Sequence, residues 1–419
     1  MKSLRITPEM FVSKPYIKCP NCGENVYGVL MINIRSYVRR CNKCMYSESY
    51  KLPDIEKKII YLDQMAISNM MNSIRTTDPE KKARIQPEWK IMFEKLDRLV
   101  KLQLIICPHS LVHEDESIVT PVFKDLKQMY EHLGNGVEFY GIETIVRYQY
   151  YEAFTKWLDI KANPITIHDI VHGNLNEWQD RIRISIESSK DPTDYVEELK
   201  KTREVSSAVL TEIFNRWKTE THNTFMDWFN EEKNAYGPAY WRLYLQSVLD
   251  NSSSGMLNFD FSEKAVLMIH LKGILRQNGI TKKEEMLKKL AKFFQSEQAK
   301  QIPFLTIYSM LVAVLANQVA HGGRTQPLNV GTSNDLSFIS AFTPYCDTLF
   351  VDNAFKENIK QGDKNLKLGI SNKFYSANDF KGFFAYLNNI EASAQKDHLN
   401  KVKEVYGDDW EKPFLTMYK

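Results

Sequence analysis

The sequence predicts an α/β fold: a parallel sheet flanked by helices, with a large all-helical insertion and a small cysteine-rich module at the N-terminus. Three observations lead to this prediction. Short hydrophobic segments alternate with amphipathic helical patterns in the first third and the last quarter of the chain, which is typical of a parallel sheet. The segment between them has helical periodicity alone. Four of the six cysteines fall between Cys19 and Cys44.

Length and composition limit the class of protein. A chain of 419 residues exceeds one typical small domain, and 43% hydrophobic with 26% charged residues is ordinary for a soluble globular protein. Collagen-like and disulfide-rich secreted classes are excluded, since Gly is 17 and Cys is only 6. The most apolar run, residues 304–316, is shorter than the ~20 residues of a membrane span, and residues 1–11 lack a secretory signal pattern. We therefore expect a cytoplasmic protein with no membrane partner.

The cysteine-rich module comes first in the chain. Cys19 and Cys22 form one C-x-x-C pair, Cys41 and Cys44 form a second, and residues 26–37 between them have the pattern of short strands. Two such pairs at this separation are typical of a tetrahedral Zn²⁺ site, so we expect a zinc ribbon; two redox pairs or free thiols are the alternative. Because four sulfurs leave no open position, the zinc is expected to be structural.

The N-terminal module is also basic. Residues 1–60 hold 11 basic and 5 acidic side chains, a net charge of +6, whereas the whole chain carries +3. Two interpretations stay open: these side chains contact the phosphates of a nucleic acid, or they form the solvated face of a small ribbon. The candidate side chains are Arg35, Tyr37, Arg39, Arg40 and Lys43.

The sheet and its flanking helices are predicted on both sides of the insertion. Before it, the patterns predict a strand over 57–63, a helix over 66–74, a helix over 87–101, a strand over 102–107 and a helix over 143–158. After it, they predict a helix over 303–320, a helix from 333–335 to 342, strands over 348–352 and 368–371, and a helix over 379–389. A charged tail follows the last helix.

The insertion is predicted to be all-helical. Apolar residues recur there at helical spacing among many charges, and no strand pattern is visible. A loop is expected over 251–255 and a charged helix over 282–300. Core packing, rather than stacking on bases, is expected for its tryptophans, which are Trp178, Trp217, Trp228 and Trp241.

Acidic residues mark the ends of the predicted strands. Asp63 and Asp352 each end a short hydrophobic strand, and the carboxyl ends of parallel strands line one edge of a sheet, where ligands bind. Several carboxylates at one edge form a hard oxygen site for Mg²⁺ or Mn²⁺, which can activate water for attack on a phosphodiester. Further candidates are Glu114, Asp115, Glu116, Asp335 and Asp347. Taken singly, each acid is also explained as a helix cap or a surface residue.

Three blocks of sequence surround these acids. They are Tyr61-Leu-Asp63-Gln64, then Pro108-His-Ser110-Leu-Val-His113-Glu-Asp-Glu116, then Asn334-Asp335 followed by Pro344-Tyr-Cys-Asp347-Thr-Leu-Phe-Val-Asp352. Together they resemble the PIN-like domains of bacterial metal-dependent nucleases. Their order and spacing match in all three. The chain departs from the pattern at Met65, where Asn is usual, and in the long segment that separates the second block from the third.

The resemblance implies a role for each matching residue. The acids that bind Mg²⁺ or Mn²⁺ would be Asp63, Glu116, Asp335 and Asp352. Asp347 falls on a further acid of the third block and is included as catalytic. The supporting residues would be Gln64, Ser110, His113 and Glu114, and Glu114 also rivals Glu116 as the second metal ligand. The implied reaction is hydrolysis of a phosphodiester, usually in RNA, that leaves a 5′-phosphate and a 3′-hydroxyl.

The leading hypothesis is therefore a metal-dependent endoribonuclease, with a toxin or anti-phage role suggested by analogy alone. A non-catalytic module that binds nucleic acid or protein through a zinc ribbon and an inactive PIN-like fold is the alternative, and a purely structural role is the third. RNA is expected before DNA, and a protein partner or a homo-oligomer stays open. The expected divisions are 1–52 (zinc ribbon), 53–162 and 302–395 (the two parts of the PIN-like domain), 163–301 (insertion) and 396–419 (tail).

Overall fold

The computed structural model describes residues 11–161, 163–180, 192–253 and 263–418. The strands in these ranges are β1 (Ser13–Ile17), β2 (Tyr27–Ile32), β3 (Ser36–Cys41), β4 (Ser47–Lys51), β5 (Lys58–Leu62), β6 (Ile105–Ile106), β7 (His109–Ser110), β8 (Glu138–Phe139), β9 (Val171–His172), β10 (Thr348–Phe350) and β11 (Phe374–Tyr375).

The α-helices occupy both faces of the sheet and most of the middle of the chain. They are α1 (Gln64–Arg75), α2 (Pro79–Ala83), α3 (Glu88–Lys101), α4 (Leu111–Ser117), α5 (Phe123–Gly134), α6 (Ile142–Trp157), α7 (Pro192–Thr219), α8 (Phe225–Ser253), α9 (Glu263–Gln277), α10 (Lys283–Phe294), α11 (Glu297–Lys300), α12 (Pro303–Ala320), α13 (Val330–Phe342), α14 (Asn353–Leu366), α15 (Phe380–Ala392) and α16 (Lys396–Tyr406).

The central sheet has the strand order β11-β10-β5-β6, and all three pairings are parallel. Strands β5 and β10 lie at its centre, with Tyr61 opposite Leu349 and Leu62 opposite Phe350. Apart from the exposed Lys58, both strands are buried, and their other residues except Thr348 are hydrophobic, as expected for a sheet covered by helices on both faces. The predicted mixed α/β fold with a parallel sheet is therefore confirmed.

Helix α12 is the centre of the largest hydrophobic core. It begins at Pro303 and ends at Ala320, as the sequence predicts, and it packs against α7, α8, α13 and α14. Among the described helices, it alone has the length and hydropathy of a membrane span, but 72% of it is buried inside the protein. That burial is the mark of a core helix in a soluble protein.

The segment predicted as an insertion shares this core. Its helices α7 to α11 pack on α6 and α12, Trp217 and Trp228 are buried in this core, and Trp241 packs against it. Trp178 is buried in a separate cluster with the N-terminal module and α16. Two details differ from the prediction. A short strand, β9, pairs antiparallel with β8, and the charged helix is broken at Ser296, whose hydroxyl caps α11 by accepting from the backbone N–H of Ala299.

The loop expected over 251–255 is helical over its first three residues. Helix α8 continues through Ser253, so the first three residues of that stretch are helical and the prediction is wrong for them. Gly255 lies outside the described residues, as do residues 1–10, which contain most of the stretch judged to lack a secretory signal.

Two strands differ in position or length from the sequence prediction. The strand predicted over 102–107 is reduced to Ile105–Ile106, because Leu102 ends α3 and Gln103 takes a left-handed φ of 60°. The strand predicted over 368–371 does not form: residues 368–370 are a loop and Ser371 begins a short 3₁₀ helix. The Asp363 carboxylate holds this stretch by accepting from the backbone N–H groups of Gly369 and Ser371. The edge strand forms at Phe374–Tyr375 instead.

Helix α13 begins earlier than the sequence predicts. Asn329 is its N-cap, and the Asn329 side chain accepts from the backbone N–H of Thr332 at 2.8 Å. The predicted cap of Ser333 to Asp335 therefore lies inside the helix. Asp335 is not a capping residue, and its side chain is available for another role.

The N-terminal module is a four-stranded antiparallel sheet in the order β1-β2-β3-β4, and it is anchored to the C-terminal helix α16. Arg39 is only 2% exposed, and its guanidinium donates to the backbone carbonyls of Pro15 and Glu404 at 2.8 and 2.7 Å. The buried Tyr37 hydroxyl donates to the Glu404 carboxylate. Both interpretations of the basic module, phosphate contact and a solvated face, are therefore wrong for Tyr37 and Arg39, because these side chains are buried and anchor the module to the rest of the protein.

The other basic candidates of the module have partners as well. Arg35 is exposed and pairs with Asp54 at 3.5 Å, and Lys43 pairs with Glu24 beside the cysteines. The segment expected as a charged tail is folded: α16 packs on the module, and the Trp410 indole donates to the Lys101 carbonyl at 3.0 Å. The N-terminal module and α16 therefore pack on each other, and Trp410 ties the segment after α16 to the end of α3.

We predict that Arg39→Ala lowers the free energy of unfolding by about 2–4 kcal/mol, because it leaves buried carbonyls without a donor. Arg35→Ala is the matched control, and it should change this free energy by less than about 0.5 kcal/mol because both partners of its ion pair are exposed. Urea unfolding followed by circular dichroism measures both variants. Equal, small effects would show that Arg39 does not anchor the module.

Candidate functional site

The four N-terminal cysteines form the first candidate site. Their sulfurs all lie within 4.8 Å of one another, and the distances from Cys19 to Cys44 and from Cys22 to Cys41 are both 3.6 Å. In a tetrahedron with Zn–S bonds of about 2.3 Å, the edges are about 3.8 Å long. The donor set and its spacing therefore fit Zn²⁺, and each C-x-x-C pair spans a turn. Gly23 follows the first pair with a φ of 76°, and the backbone N–H groups of Lys43 and Cys44 approach the Cys41 sulfur at 3.4 and 3.5 Å.

The second candidate site lies at the carboxyl edge of the central sheet. Asp63 directly follows β5, and Asp352 comes two residues after β10. The backbone N–H of Asp63 donates to the Phe350 carbonyl at 2.9 Å, so the pairing of the two strands continues up to the first acid. Asp352 caps α14 by accepting from the backbone N–H of Phe355 at 2.8 Å. The two acids predicted to share an edge do so.

Helix α4 is fastened to the same edge by a buried histidine. His113 is 1% exposed; its Nε2 lies 2.8 Å from the Leu62 carbonyl, and its Nδ1 lies 3.1 Å from the backbone N of Ser110. Because the Ser110 N–H can only donate, Nδ1 accepts and Nε2 carries the proton that binds Leu62. Burial lowers the pKa of His113 to about 4, so the ring is neutral at pH 7 and serves to position the helix.

The docking of α4 directs Glu116, rather than Glu114, toward Asp63. Glu116 acts on Asp63 and Asp335 through its charge. Glu114 instead interacts with Lys127 and Glu131 of α5 and with Glu138 of β8. The two acids lie on different sides of one short helix, and the geometry favours Glu116 as the member of the acid cluster.

Asp335 reaches the cluster from α13. Phe338 and Phe342 of this helix pack on the Tyr61 ring, with ring centres 5.7 and 5.1 Å apart. Asp335 lies about one turn before Phe338, on the side of the helix that faces β5. Helix α13 leads back to the amino end of β10, so its first half lies near the carboxyl edge.

The electrostatics of the four acids show that they are neighbours. Burial, and then the charges of Glu116 and Asp352, raise the pKa of Asp63 to about 7. Burial, and then the charges of Asp63, Glu116 and Asp352, raise the pKa of Asp335 to about 8. Carboxylates so placed stay ionised together only when a cation compensates their charge.

The acid cluster is wider than the cysteine cluster. Within the ranges that the structure describes, the four cysteines are the one group of three or more ligand residues whose donor atoms all lie within 4.8 Å of one another. The acids are therefore spaced more widely than the ligands of one compact metal site; sites that hold two divalent cations about 4 Å apart also use ligands spread over a wider region. Gln64, the residue after Asp63, has a buried amide oxygen with no hydrogen-bond partner among the described residues.

Asp347 does not join the other acids. Its carboxylate accepts from the backbone N–H of Ile59 and from Lys58 Nζ, both at 2.9 Å, at the amino end of β5. The opposite edge of the sheet also carries a cleft of about 760 Å³ lined by Lys57, Asp347 and Lys373, among others. The structure therefore separates this predicted catalytic residue from the acid cluster by the length of a strand, and the cleft belongs to the other edge.

Ser117 is a site residue that the sequence reasoning missed. It is fully buried, and its hydroxyl accepts from Gln64 Nε2 at 2.9 Å, which joins α1 to α4 beside Asp63 and Glu116. The signal was its spacing: Ser117 lies four residues after His113, on the same face of α4. Among the predicted supporting residues, Gln64, Ser110 and His113 lie at this edge, and Glu114 faces away from it.

No protein-family model, no curated protein and no solved structure matches this chain. The resemblance to PIN-like nucleases therefore rests on its three sequence blocks.

We predict about one zinc per chain in the purified protein, measured by elemental mass spectrometry. Cys41→Ser should lose the zinc, because it removes one of four sulfurs, whereas Cys107→Ser, which changes a buried cysteine outside the module, should retain it. The zinc assignment would be contradicted if Cys41→Ser kept its zinc. It would also be contradicted if the wild-type protein contained none.

We also predict that stability falls as the pH rises from 6.5 to 8.5 in buffer without added divalent cations. The raised pKa values of Asp63 and Asp335 mean that the folded chain binds more protons than the unfolded chain over this window, so deprotonation favours unfolding. The lowered pKa of His113 acts in the opposite direction, but only below about pH 6.5. Urea unfolding should give a flatter pH dependence for Asp335→Asn; an unchanged slope would refute the coupling.

Proposed function

We propose that this protein is a divalent-cation-dependent nuclease that hydrolyses phosphodiester bonds, with RNA as the expected substrate. The observation that carries the proposal is the meeting of four carboxylates at the carboxyl edge of a parallel sheet. They come from four separate elements: the end of β5, α4, α13 and the start of α14. Their residues are Asp63, Glu116, Asp335 and Asp352.

A cluster of this kind has few chemical uses without a cation. Four carboxylates repel a phosphate, so the site accepts a nucleic acid only when positive charge is bound there. Mg²⁺ or Mn²⁺, when bound, supplies that charge and makes a water molecule more acidic. Carboxylate oxygens are the ligands that both ions prefer, whereas the sulfurs of the N-terminal module suit zinc.

The chain's own residues hold the acids in place for this chemistry. The continued pairing of β5 with β10 fixes Asp63 relative to Asp352, and the neutral His113 ring ties α4, and with it Glu116, to the end of β5. Hydrolysis adds one water across the bond between phosphorus and the 3′ oxygen. It leaves a 5′-phosphate and a 3′-hydroxyl.

The resemblance to PIN-like domains supports the same proposal. The Asp63, Glu116, Asp335 and Asp352 positions come from all three sequence blocks, and their side chains interact at one edge although a long segment of chain separates them. Asp347 is left out of the proposed site. Arg39 and Tyr37 are left out of the substrate surface, because both are committed to anchoring the N-terminal module.

We predict that the purified protein cleaves labelled single-stranded RNA with Mg²⁺ or Mn²⁺ and that EDTA stops the reaction. Asp63→Asn and Asp352→Asn should each reduce the rate by at least about 100-fold, since each removes one charged ligand. Asn is also a good N-cap, so Asp352→Asn should keep α14 intact.

Asp347→Asn is the matched control, because Asp347 lies at the opposite edge of the same sheet. It should retain activity close to that of the wild type. Transfer RNA and single-stranded DNA tested in parallel define the substrate class. Cleavage that persists in both Asp63→Asn and Asp352→Asn would contradict the site, and binding of RNA without cleavage would favour a non-catalytic binding module.

A further inference from the structure

The nitrogen and the oxygen of the Gln64 side-chain amide have different hydrogen-bonding environments. Its Nε2 donates to the Ser117 hydroxyl at 2.9 Å, but its Oε1 is buried without a hydrogen-bond partner among the described residues. A buried acceptor without a donor costs about 1–3 kcal/mol. Such a group in a folded protein calls for an explanation, and a bound ligand is one of the few available.

The surroundings of this amide narrow the choice of ligand. Gln64 directly follows Asp63, and Ser117 directly follows Glu116, so the hydrogen bond between them joins the two segments that carry these acids. The Gln64 amide oxygen, like a carboxylate oxygen, can only accept, and it belongs to the residue that directly follows Asp63. A divalent cation is a ligand that both kinds of oxygen bind.

We propose that Gln64 contributes its amide oxygen, a neutral oxygen donor, to the divalent-cation site. The inference rests on the proposed function and adds a fifth ligand group to the four carboxylates. Mg²⁺ and Mn²⁺ accept amide oxygens as well as carboxylates, and a neutral donor adds no further repulsion between the acids. The buried Ser117 hydroxyl holds the amide by its nitrogen and leaves the oxygen free for the ion.

A merely structural role for Gln64 predicts a different result. If the amide only joins α1 to α4, then removing either partner of the hydrogen bond should have the same consequence. If the oxygen also binds the cation, the loss of the whole amide should weaken cation binding more than the loss of the Ser117 hydroxyl. The two roles are therefore separated by comparing Gln64 with Ser117.

The test measures Mn²⁺ binding by the full-length, zinc-containing protein, with electron paramagnetic resonance to count free Mn²⁺. Gln64→Met keeps the length and shape of the side chain but removes both ends of the amide, and its sulfur is a poor ligand for Mn²⁺. We expect it to weaken Mn²⁺ binding at least about 10-fold, because loss of a group that only supports a metal ligand already costs about that much. Ser117→Ala should weaken it much less, and Gln64→Glu, which restores an oxygen, should bind at least as tightly as the wild type.

Each outcome decides between the possibilities. Equal Mn²⁺ affinities for Gln64→Met and Ser117→Ala, in proteins with native circular dichroism spectra, would overturn the role of Gln64 and leave the proposed nuclease site intact. Failure of Gln64→Glu to restore binding would overturn it as well. A wild type that binds no Mn²⁺ would overturn both this inference and the proposed function, and that result is distinguishable from the first two.

Discussion

The parallel pairing of β5 with β10 is the constraint on which the rest of the site depends. It aligns Tyr61 with Leu349 and Leu62 with Phe350, so the residues that follow both strands, Asp63 and Asp352, lie at one edge. The same register sends Asp347 to the other edge, because five residues of extended chain span about 16 Å. Helices α4 and α13 then reach the acid edge by packing on β5, through His113 in one case and the Tyr61 ring in the other.

Much of this frame could be predicted from local signals. The hydrophobic runs of β5 and β10, the apolar helix α12 and the paired cysteines are each encoded within a few residues, and the structure forms them where the sequence suggests. The prediction fails where a single backbone conformation decides. Gln103 turns left-handed and shortens one strand, and the loop held by Asp363 moves another strand to Phe374–Tyr375. Neither effect is visible in the periodicity of the sequence, because each depends on the conformation or hydrogen bonds of single residues.

Long-range contacts account for the remaining differences. The sequence marks Arg39 as a basic residue of a small ribbon, but its partner, the Glu404 carbonyl, lies near the other end of the chain. Arg39, which resembles a surface charge in the sequence, is therefore a buried anchor in the fold. The choice between Glu114 and Glu116 has the same character. Both acids lie on a helix of seven residues, and its orientation is decided by the hydrogen bond from His113 to Leu62.

We propose above that the carboxyl edge of the sheet binds divalent cations. Crystals of the full-length protein soaked in Mn²⁺ test it directly, since the anomalous scattering of manganese locates the ion without any assumption about activity. We predict an anomalous peak between Asp63 and Asp352, at about 2.0–2.3 Å from carboxylate oxygens. A manganese peak confined to the opposite edge beside Asp347, or no peak at the four acids, would contradict it.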